Sequence, residues 1–143
     1  GCNFVGFTKS LTTEPLNIKT VSIISTADAN DDFPIPVDIV IAKKDDLIEV
    51  LAQMDAPTWF DQKEFFLPSN AANIEVVEFE LVAGTSSKPV EFDWAGRRDA
   101  RAVFIFARYI QDGSHKLRID QIPSPNVLLG RSSMSLQENT ADN

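Results

Sequence analysis

The sequence predicts an all-β domain, an antiparallel two-sheet β-sandwich with one short helical insertion. Three observations predict this class. Seven short segments are rich in β-branched or alternating apolar residues, and turn-forming residues separate them. One segment, at residues 46–66, has helical periodicity instead. Strands and helices do not alternate along the chain in the way that a parallel sheet requires.

Length and charge limit the classes of function. The 143 residues suffice for one domain, because a domain of this size buries roughly 68–70% of the surface that its unfolded chain exposes. Acidic residues outnumber basic ones by 21 to 13, for a net charge of −8, so we expect no nucleic-acid partner. The longest apolar run, residues 102–107, is far shorter than the roughly 20 residues of a membrane-spanning helix. We expect any membrane attachment to be covalent.

The single cysteine, Cys2, indicates such an attachment. It follows Gly1, and Gly-Cys is a common processing junction in bacterial lipoproteins, where the cysteine becomes the lipidated first residue. The alternative is that Gly1 is a cloning remnant and Cys2 an incidental thiol. The next residues, 3–15, are typical of a polar tether. We predict that residues 1–17 form a lipid-anchored tether.

The first strands flank an acidic segment. Residues 18–25 are rich in Ile, Val and Thr, and residues 37–42 form a second β-branched run. A polar cluster at residues 28–32 lies between them and is followed by Pro34 and Pro36. This order predicts a hairpin of the two strands with a long acidic loop at its tip.

The helical insertion follows. Leu47, Val50, Leu51 and Met54 have the spacing of one helix face, and Asp46 and Glu49 have the spacing of a capping box. Pro57 ends this helix, and Thr58 is expected to cap a second one that stops at Pro68. The second helix carries four aromatic residues, for which core packing is the favoured interpretation: Trp59, Phe60, Phe65 and Phe66.

Five more strands are expected after residue 73. Residues 74–81 alternate, with Val77, Phe79 and Leu81 on the apolar face, and a shorter strand follows at residues 90–94. Residues 102–110 are apolar on both faces, which predicts a central strand covered on both sides. Residues 116–122 and 127–136 supply the last two. The domain is thus expected at residues 18–136, followed by a frayed tail at residues 137–143.

Side chains for chemistry are scarce. His115, the only histidine, lies in a turn beside Gly113, and one histidine and one terminal cysteine fall short of a zinc site. We therefore expect no enzyme, no resident metal and no cofactor.

The acidic segment between the first two strands is the candidate interaction site. Its residues are Asp28, Ala29, Asn30, Asp31, Asp32 and Phe33. Clustered carboxylates are compatible with calcium, although the glycine and distant glutamate of an EF-hand loop are missing. A solvated acidic loop is a second interpretation. An aromatic residue at the edge of a polar loop favours the third, a surface that docks a protein partner.

The order of features resembles the outer-membrane lipoproteins of bacterial type VI secretion systems, the TssJ family, over residues 18–136. The resemblance rests on Cys2, a first strand, Asn30 in the following loop, a strand led by Pro36-Val37 and the aromatic helical insertion. A Leu-x-x-Gly turn at residues 81–84 and an Ala-x-Tyr motif at residues 107–109 follow in the same order.

The resemblance implies a transthyretin-like sandwich held by its lipid at the periplasmic face of the outer membrane. It also implies that the loop at residues 28–33 binds the periplasmic domain of the large inner-membrane component. The alternative function is a periplasmic transthyretin-like or immunoglobulin-like module that binds calcium or a small ligand.

Overall fold

The protein is an all-β sandwich with a helical insertion, as predicted. The computed structural model describes residues 17–92, 97 and 99–137. Two helices and eight strands lie in these residues: β1 (Thr20–Ser25), β2 (Ile35–Ala42), α1 (Asp45–Gln53), α2 (Ala56–Ser69), β3 (Ile74–Leu81), β4 (Val90–Glu91), β5 (Ala102–Ala107), β6 (Lys116–Arg118), β7 (Asn126–Leu129) and β8 (Met134–Gln137). Cys2, residues 3–16 and residues 138–143 lie outside the described residues.

The strands form two four-stranded sheets. Sheet A has the order β4-β1-β7-β8 and sheet B the order β3-β2-β5-β6. All pairs of neighbouring strands are antiparallel except β1 and β7, which are parallel. The predicted hairpin of the first two strands is wrong, because β1 and β2 lie in different sheets. Local alternation marks a strand but does not select its partner, and the loop between β1 and β2 crosses from one sheet to the other.

The main core lies between the two sheets. All six residues of β5 are buried, and the odd-numbered ones face this core, as predicted for a central strand. From β3, Val77, Phe79 and Leu81 also face it. This two-residue period was readable from the sequence because the core-facing residues of β3 alternate with Glu78 and Glu80, which lie on its other face and are exposed.

A second core lies between the other face of sheet B and the two helices. Its largest residue is Trp59, which is fully buried and stacks on Phe106 with ring centroids 5.3 Å apart. Phe66 meets the same indole edge-to-face at 6.0 Å. Core packing is therefore confirmed for Trp59, Phe60 and Phe66 and is wrong for Phe65, whose side chain points into solvent.

A buried polar network fixes α2 on sheet B. Asp38, in the middle of β2, accepts hydrogen bonds from Trp59 Nε1 at 2.9 Å and from Lys63 Nζ at 2.8 Å. Lys63 also pairs with Glu78 of β3 at 2.9 Å. Burial alone would lower the pKa of Lys63, but the bonds to the two carboxylates outweigh it and raise the pKa. The network therefore joins α2, β2 and β3 through one ammonium group.

The helix termini differ from the sequence prediction. α1 begins at Asp45 with no side-chain cap, so the capping box of Asp46 and Glu49 is not formed. The cap of α2 is Asp55, whose carboxylate accepts the Thr58 N–H at 2.9 Å and so takes the place predicted for Thr58. Pro57 lies in the first turn of α2, where backbone N–H groups have no acceptor within the helix, so the N–H that proline lacks is not needed.

The C-terminal segment predicted as one strand is a hairpin of β7 and β8. Gly130 begins the turn, and its N–H donates to the Ser133 carbonyl at 2.9 Å. The predicted strand at residues 90–94 is described only as β4, since Trp94 lies outside the described residues. Among the residues that the structure describes, no helix is long and apolar enough to cross a membrane.

Candidate partner-binding site

The acidic segment forms a short structured turn at one end of the sandwich. Ala29–Asp32 makes a tight turn whose backbone is left-handed rather than that of a regular 3₁₀ helix, since Asn30, Asp31 and Asp32 all have positive φ, at 52°, 52° and 73°. Left-handed backbone is unfavourable for most side chains, and Asn and Asp tolerate it best among non-glycine residues. The Asn-Asp-Asp sequence is therefore suited to this turn.

Asn30 is the residue that anchors the turn. Its side chain is 1% exposed, its Nδ2 donates to the carbonyls of Phe33 and Pro34 at 3.3 Å, and its Oδ1 accepts the Ile110 N–H at 2.8 Å. The backbone N–H of Asn30 donates to the Arg131 carbonyl at 3.0 Å. Asn30 thus ties the loop to the segment that follows β5 through its side chain, and to the segment that follows β7 through its backbone N–H.

The carboxylates of the turn also have partners. Asp31 Oδ1 lies 2.7 Å from Arg131 Nε, and Gln111 Nε2 donates to its other oxygen at 3.3 Å. The hydrogen bond from Arg131 has the largest effect and lowers the pKa of Asp31; burial opposes it, and the Gln111 bond adds a smaller lowering. Asp28 accepts a 2.7 Å bond from Thr26 Oγ1. The turn is thereby held from both sides.

These bonds divide five of the six predicted residues into two groups, while Asp31 is half-buried and paired with Arg131. Ala29 and Asn30 are buried, so they position the turn and present no side chain to a partner. Asp28, Asp32 and Phe33 are exposed, and the Phe33 side chain retains 57% of its accessible surface. The part of the predicted site that a partner can touch is an aromatic ring flanked by carboxylates.

The structure adds a residue that the sequence analysis missed. Ile110, just past β5, is 56% exposed, and its backbone is bonded to the same Asn30 side chain that holds Phe33. The sequence pattern places this isoleucine, which directly follows the Ala-x-Tyr motif, at the end of the strand at residues 102–110, so it does not identify it as a surface residue. Arg131 was also missed, and no local pattern marks it. We call the exposed surface formed by Asp28, Asp32, Phe33 and Ile110 the loop patch.

An open groove of about 640 Å³ adjoins the loop patch. It lies between α2 and the segment at residues 107–115, and Ile110 and Gln111 line it on the patch side. Asp61 and Glu64 of α2 line the opposite side. The groove therefore extends the acidic surface away from Phe33.

Tyr109 and His115 support this end of the molecule from inside. Tyr109 Oη lies 3.0 Å from the Gly130 carbonyl and 3.1 Å from the Ser133 carbonyl, and its burial raises its pKa. The His115 ring stacks on Tyr109 at 4.5 Å, and its Nε2 lies 2.8 Å from the Gln111 carbonyl. Among the described residues, no group of three or more His, Cys, Asp or Glu side chains is arranged to hold a metal ion.

Three solved structures share this architecture at 14% sequence identity. The first is Lip of Serratia marcescens, described as a membrane-bound component of the type VI secretion system, with a TM-score of 0.59 over 86% of this chain and 99% of that one. The second is the type VI secretion lipoprotein TssJ1 of Pseudomonas aeruginosa, with 0.61 over 84% and 94%. The third belongs to a structure described as a type VI membrane complex, with 0.62 over 85% and 99%.

This chain has the fold of the type VI secretion lipoproteins. The resemblance found in the sequence is confirmed at the level of the fold, because the matches cover the sandwich and nearly the whole of each neighbour. No protein-family profile and no curated protein matches the sequence. The fold has thus been kept where most of the sequence differs.

Proposed function

We propose that this protein is an outer-membrane lipoprotein subunit of a type VI secretion membrane complex, and that it acts by binding rather than by catalysis. In this proposal the lipid on Cys2 holds it at the periplasmic face of the outer membrane. The loop patch binds the periplasmic domain of the large inner-membrane component. The fold shared with Lip and TssJ1, which are described as a membrane-bound component and a lipoprotein, supports this role.

The observation that carries the proposal is an exposed apolar pair on a fixed support. Phe33 and Ile110 each keep more than half of their surface exposed, and Asn30 hydrogen-bonds to the backbone of both. Single exposed apolar side chains are common, but neighbouring ones that form a patch are typical of interaction sites, and aromatic residues dominate the energy of such sites. A complementary partner surface would offer an apolar pocket for these two side chains.

The flanking charges indicate what surrounds that pocket. Asp28 and Asp32 are exposed beside Phe33, and the whole chain carries a net charge of −8. Opposite charges around an apolar centre accelerate encounter and fix orientation. The expected partner surface is therefore an apolar pocket with a basic rim. Because the turn is already ordered by Asn30 and Arg131, little conformational entropy is lost when it docks.

Truncation of the aromatic anchor tests the loop patch. Replacing Phe33 with alanine is expected to weaken binding to the purified partner domain by about 30-fold or more, since a central aromatic anchor contributes about 2 kcal/mol or more. Isothermal titration calorimetry measures this loss. The matched control is Phe65→Ala, which removes an even more exposed ring from α2 and should change the affinity less than twofold. Equal effects of the two substitutions would remove the loop patch from the proposal.

The lipid anchor is tested separately. Replacing Cys2 with serine removes the only thiol in the chain, and we expect the protein to move from the membrane fraction to the soluble periplasmic fraction. Fractionation followed by mass spectrometry of the N-terminal peptide measures both the location and the acylation. Continued membrane association of the Cys2→Ser variant in cells that lack the partner would contradict a lipid anchor.

A further inference from the structure

The side of the sandwich where β3 and β4 lie carries a second apolar groove. β3 is the last strand of sheet B and β4 the last strand of sheet A, so the two sheet edges lie on the same side of the molecule. Between them is a groove of about 430 Å³. Its apolar lining consists of Val77, Phe79, Leu81, Val82, Pro89 and Val90.

Both ends of this groove are built from specific contacts. At one end the turn at residues 82–85 crosses between the sheets, with Gly84 at φ 79° and its N–H bonded to the Thr26 carbonyl at 2.8 Å. At the other end Arg97 bridges the sheets, since it contacts the Glu75 carboxylate and the Glu91 carbonyl, both at 2.6 Å. The two contacts hold the edges at a fixed separation and leave the groove open between them.

Among the strands that the structure describes, β3 pairs only with β2, on one of its two edges. β3 is eight residues long, contains no proline, and pairs with β2 from Ile74 to Leu81 without a bulge. The backbone groups on its other edge make no hydrogen bonds to the described residues. Long, regular edges of this kind accept an added strand, and natural proteins protect them with prolines, bulges or charges.

The charges on β3 select the added strand. Val77 and Phe79 face the groove, whereas Glu78 and Glu80 lie on the opposite face of the strand and are exposed. Glu78 already pairs with Lys63 at 2.9 Å, so Glu80 is the carboxylate on this face that an added strand can pair with. An added strand places its side chains beside those of β3 on each face in turn. It would therefore carry apolar residues toward the groove and a basic residue beside Glu80. A second copy of this chain is disfavoured, because pairing of two β3 edges brings two Glu80 carboxylates onto one face.

We propose that the edge of β3 is a second docking site, which takes an extended segment of another protein with alternating apolar and basic residues. The segment adds a fifth strand to sheet B, and its apolar side chains fill the groove. This site does not depend on the loop patch, which lies at the end of the sandwich rather than along its side. An experiment that finds no binding at the edge of β3 therefore leaves the proposed function of the loop patch untouched, and the reverse also holds.

The test uses an eight-residue peptide of alternating lysine and valine with blocked ends, added to the full chain. Hydrogen exchange measured by mass spectrometry should slow at residues 75–81 and stay unchanged at residues 26–34. A peptide with the same composition but four lysines followed by four valines should give no such protection. Equal protection by both peptides, or protection confined to another element, would overturn the proposal.

A matched pair of charge reversals tests the role of Glu80. Glu80→Lys is expected to weaken peptide binding by about fivefold, because it turns a cross-strand attraction into a repulsion. Glu49→Lys makes the same change on the exposed face of α1, away from the groove, and should change binding less than twofold. Fluorescence anisotropy of a labelled peptide measures both. The same loss in both variants would indicate attraction to the overall charge and would overturn the site.

Discussion

Replacing Trp59 with alanine is expected to lower the free energy of unfolding by about 3–5 kcal/mol. The indole is fully buried at the centre of the helix-facing core, where it stacks on Phe106 and meets Phe66. The substitution also removes one of the two hydrogen-bond donors of the buried Asp38 carboxylate. Because a domain is typically stable by only about 5–15 kcal/mol, this loss should bring the variant close to unfolding at 37 °C.

Chemical denaturation followed by circular dichroism measures this effect. Phe65→Ala on the same helix is the control, because the Phe65 side chain is 82% exposed and its loss should cost less than about 0.5 kcal/mol. Trp59→Phe keeps most of the ring packing but not the N–H, so an intermediate loss is expected. A loss below about 1 kcal/mol for Trp59→Ala would mean that the helices contribute little to the stability of sheet B.

Replacing Asp120 with asparagine is expected to cost about 2–3 kcal/mol at pH 7. The carboxylate is completely buried and accepts bonds from Arg118 Nε at 2.8 Å, Gln121 Nε2 at 3.0 Å and the Val103 N–H at 3.1 Å. An amide has only one acceptor oxygen, so its NH₂ group would face one of these donors. The substitution thus leaves buried donors unpaired next to the central strand β5.

The same carboxylate predicts how the difference changes with pH. Burial alone would raise the pKa of Asp120, but the bonds from Arg118, Gln121 and Val103 outweigh it and lower the pKa below the ordinary 3.8. The stabilisation from Asp120 is therefore complete above about pH 4, and it is lost as the pH falls through the lower folded-state pKa. The gap between wild type and Asp120→Asn should close in that acidic range.

Urea unfolding at several pH values between 2 and 7 measures this gap. Asp46→Asn is the matched control, since the Asp46 side chain is 84% exposed and reaches Lys44 only at 4.0 Å. Its stability should differ from the wild type by less than about 1 kcal/mol, which is what an exposed carboxylate in the first turn of a helix contributes at most. A gap that widens toward acid would show that the pKa of Asp120 is raised in the folded protein rather than lowered.

The elements with a strong internal period were predictable, and their partners were not. β3 was correctly placed because its core-facing residues alternate with the exposed Glu78 and Glu80, and β5 because both of its faces are apolar and buried. The predicted hairpin of β1 and β2 was wrong because an apolar run of this kind indicates a strand but not the sheet to which the strand belongs. The final segment was read as one strand, although Gly130 signals the turn that divides it. Periodicity reports which side of an element is buried, whereas pairing depends on contacts between distant segments.

The candidate site was predictable as a segment but not as a surface. The polar cluster and Phe33 located the loop, and Asn-Asp-Asp suits its left-handed backbone. The burial of Asn30 could not be read locally, because its partners belong to Ile110 and Arg131, about 80–100 positions further along the chain. The exposure of Ile110 follows from the same distant contacts. The sequence therefore located the loop and Phe33 correctly but did not identify Ile110, the second exposed apolar residue of the loop patch.

The position of β1 sets the order in which this protein can acquire its structure. Near the start of the chain, β1 is an inner strand of sheet A, yet Ser22 finds its neighbour only at Asn126. Closing so long a loop costs entropy, which grows slowly with loop length, and pairing between distant segments slows folding. Sheet A cannot close before the segment around Asn126 has been made. A chain that is interrupted before β7 would leave β1 with an open edge, and such intermediates are prone to aggregate.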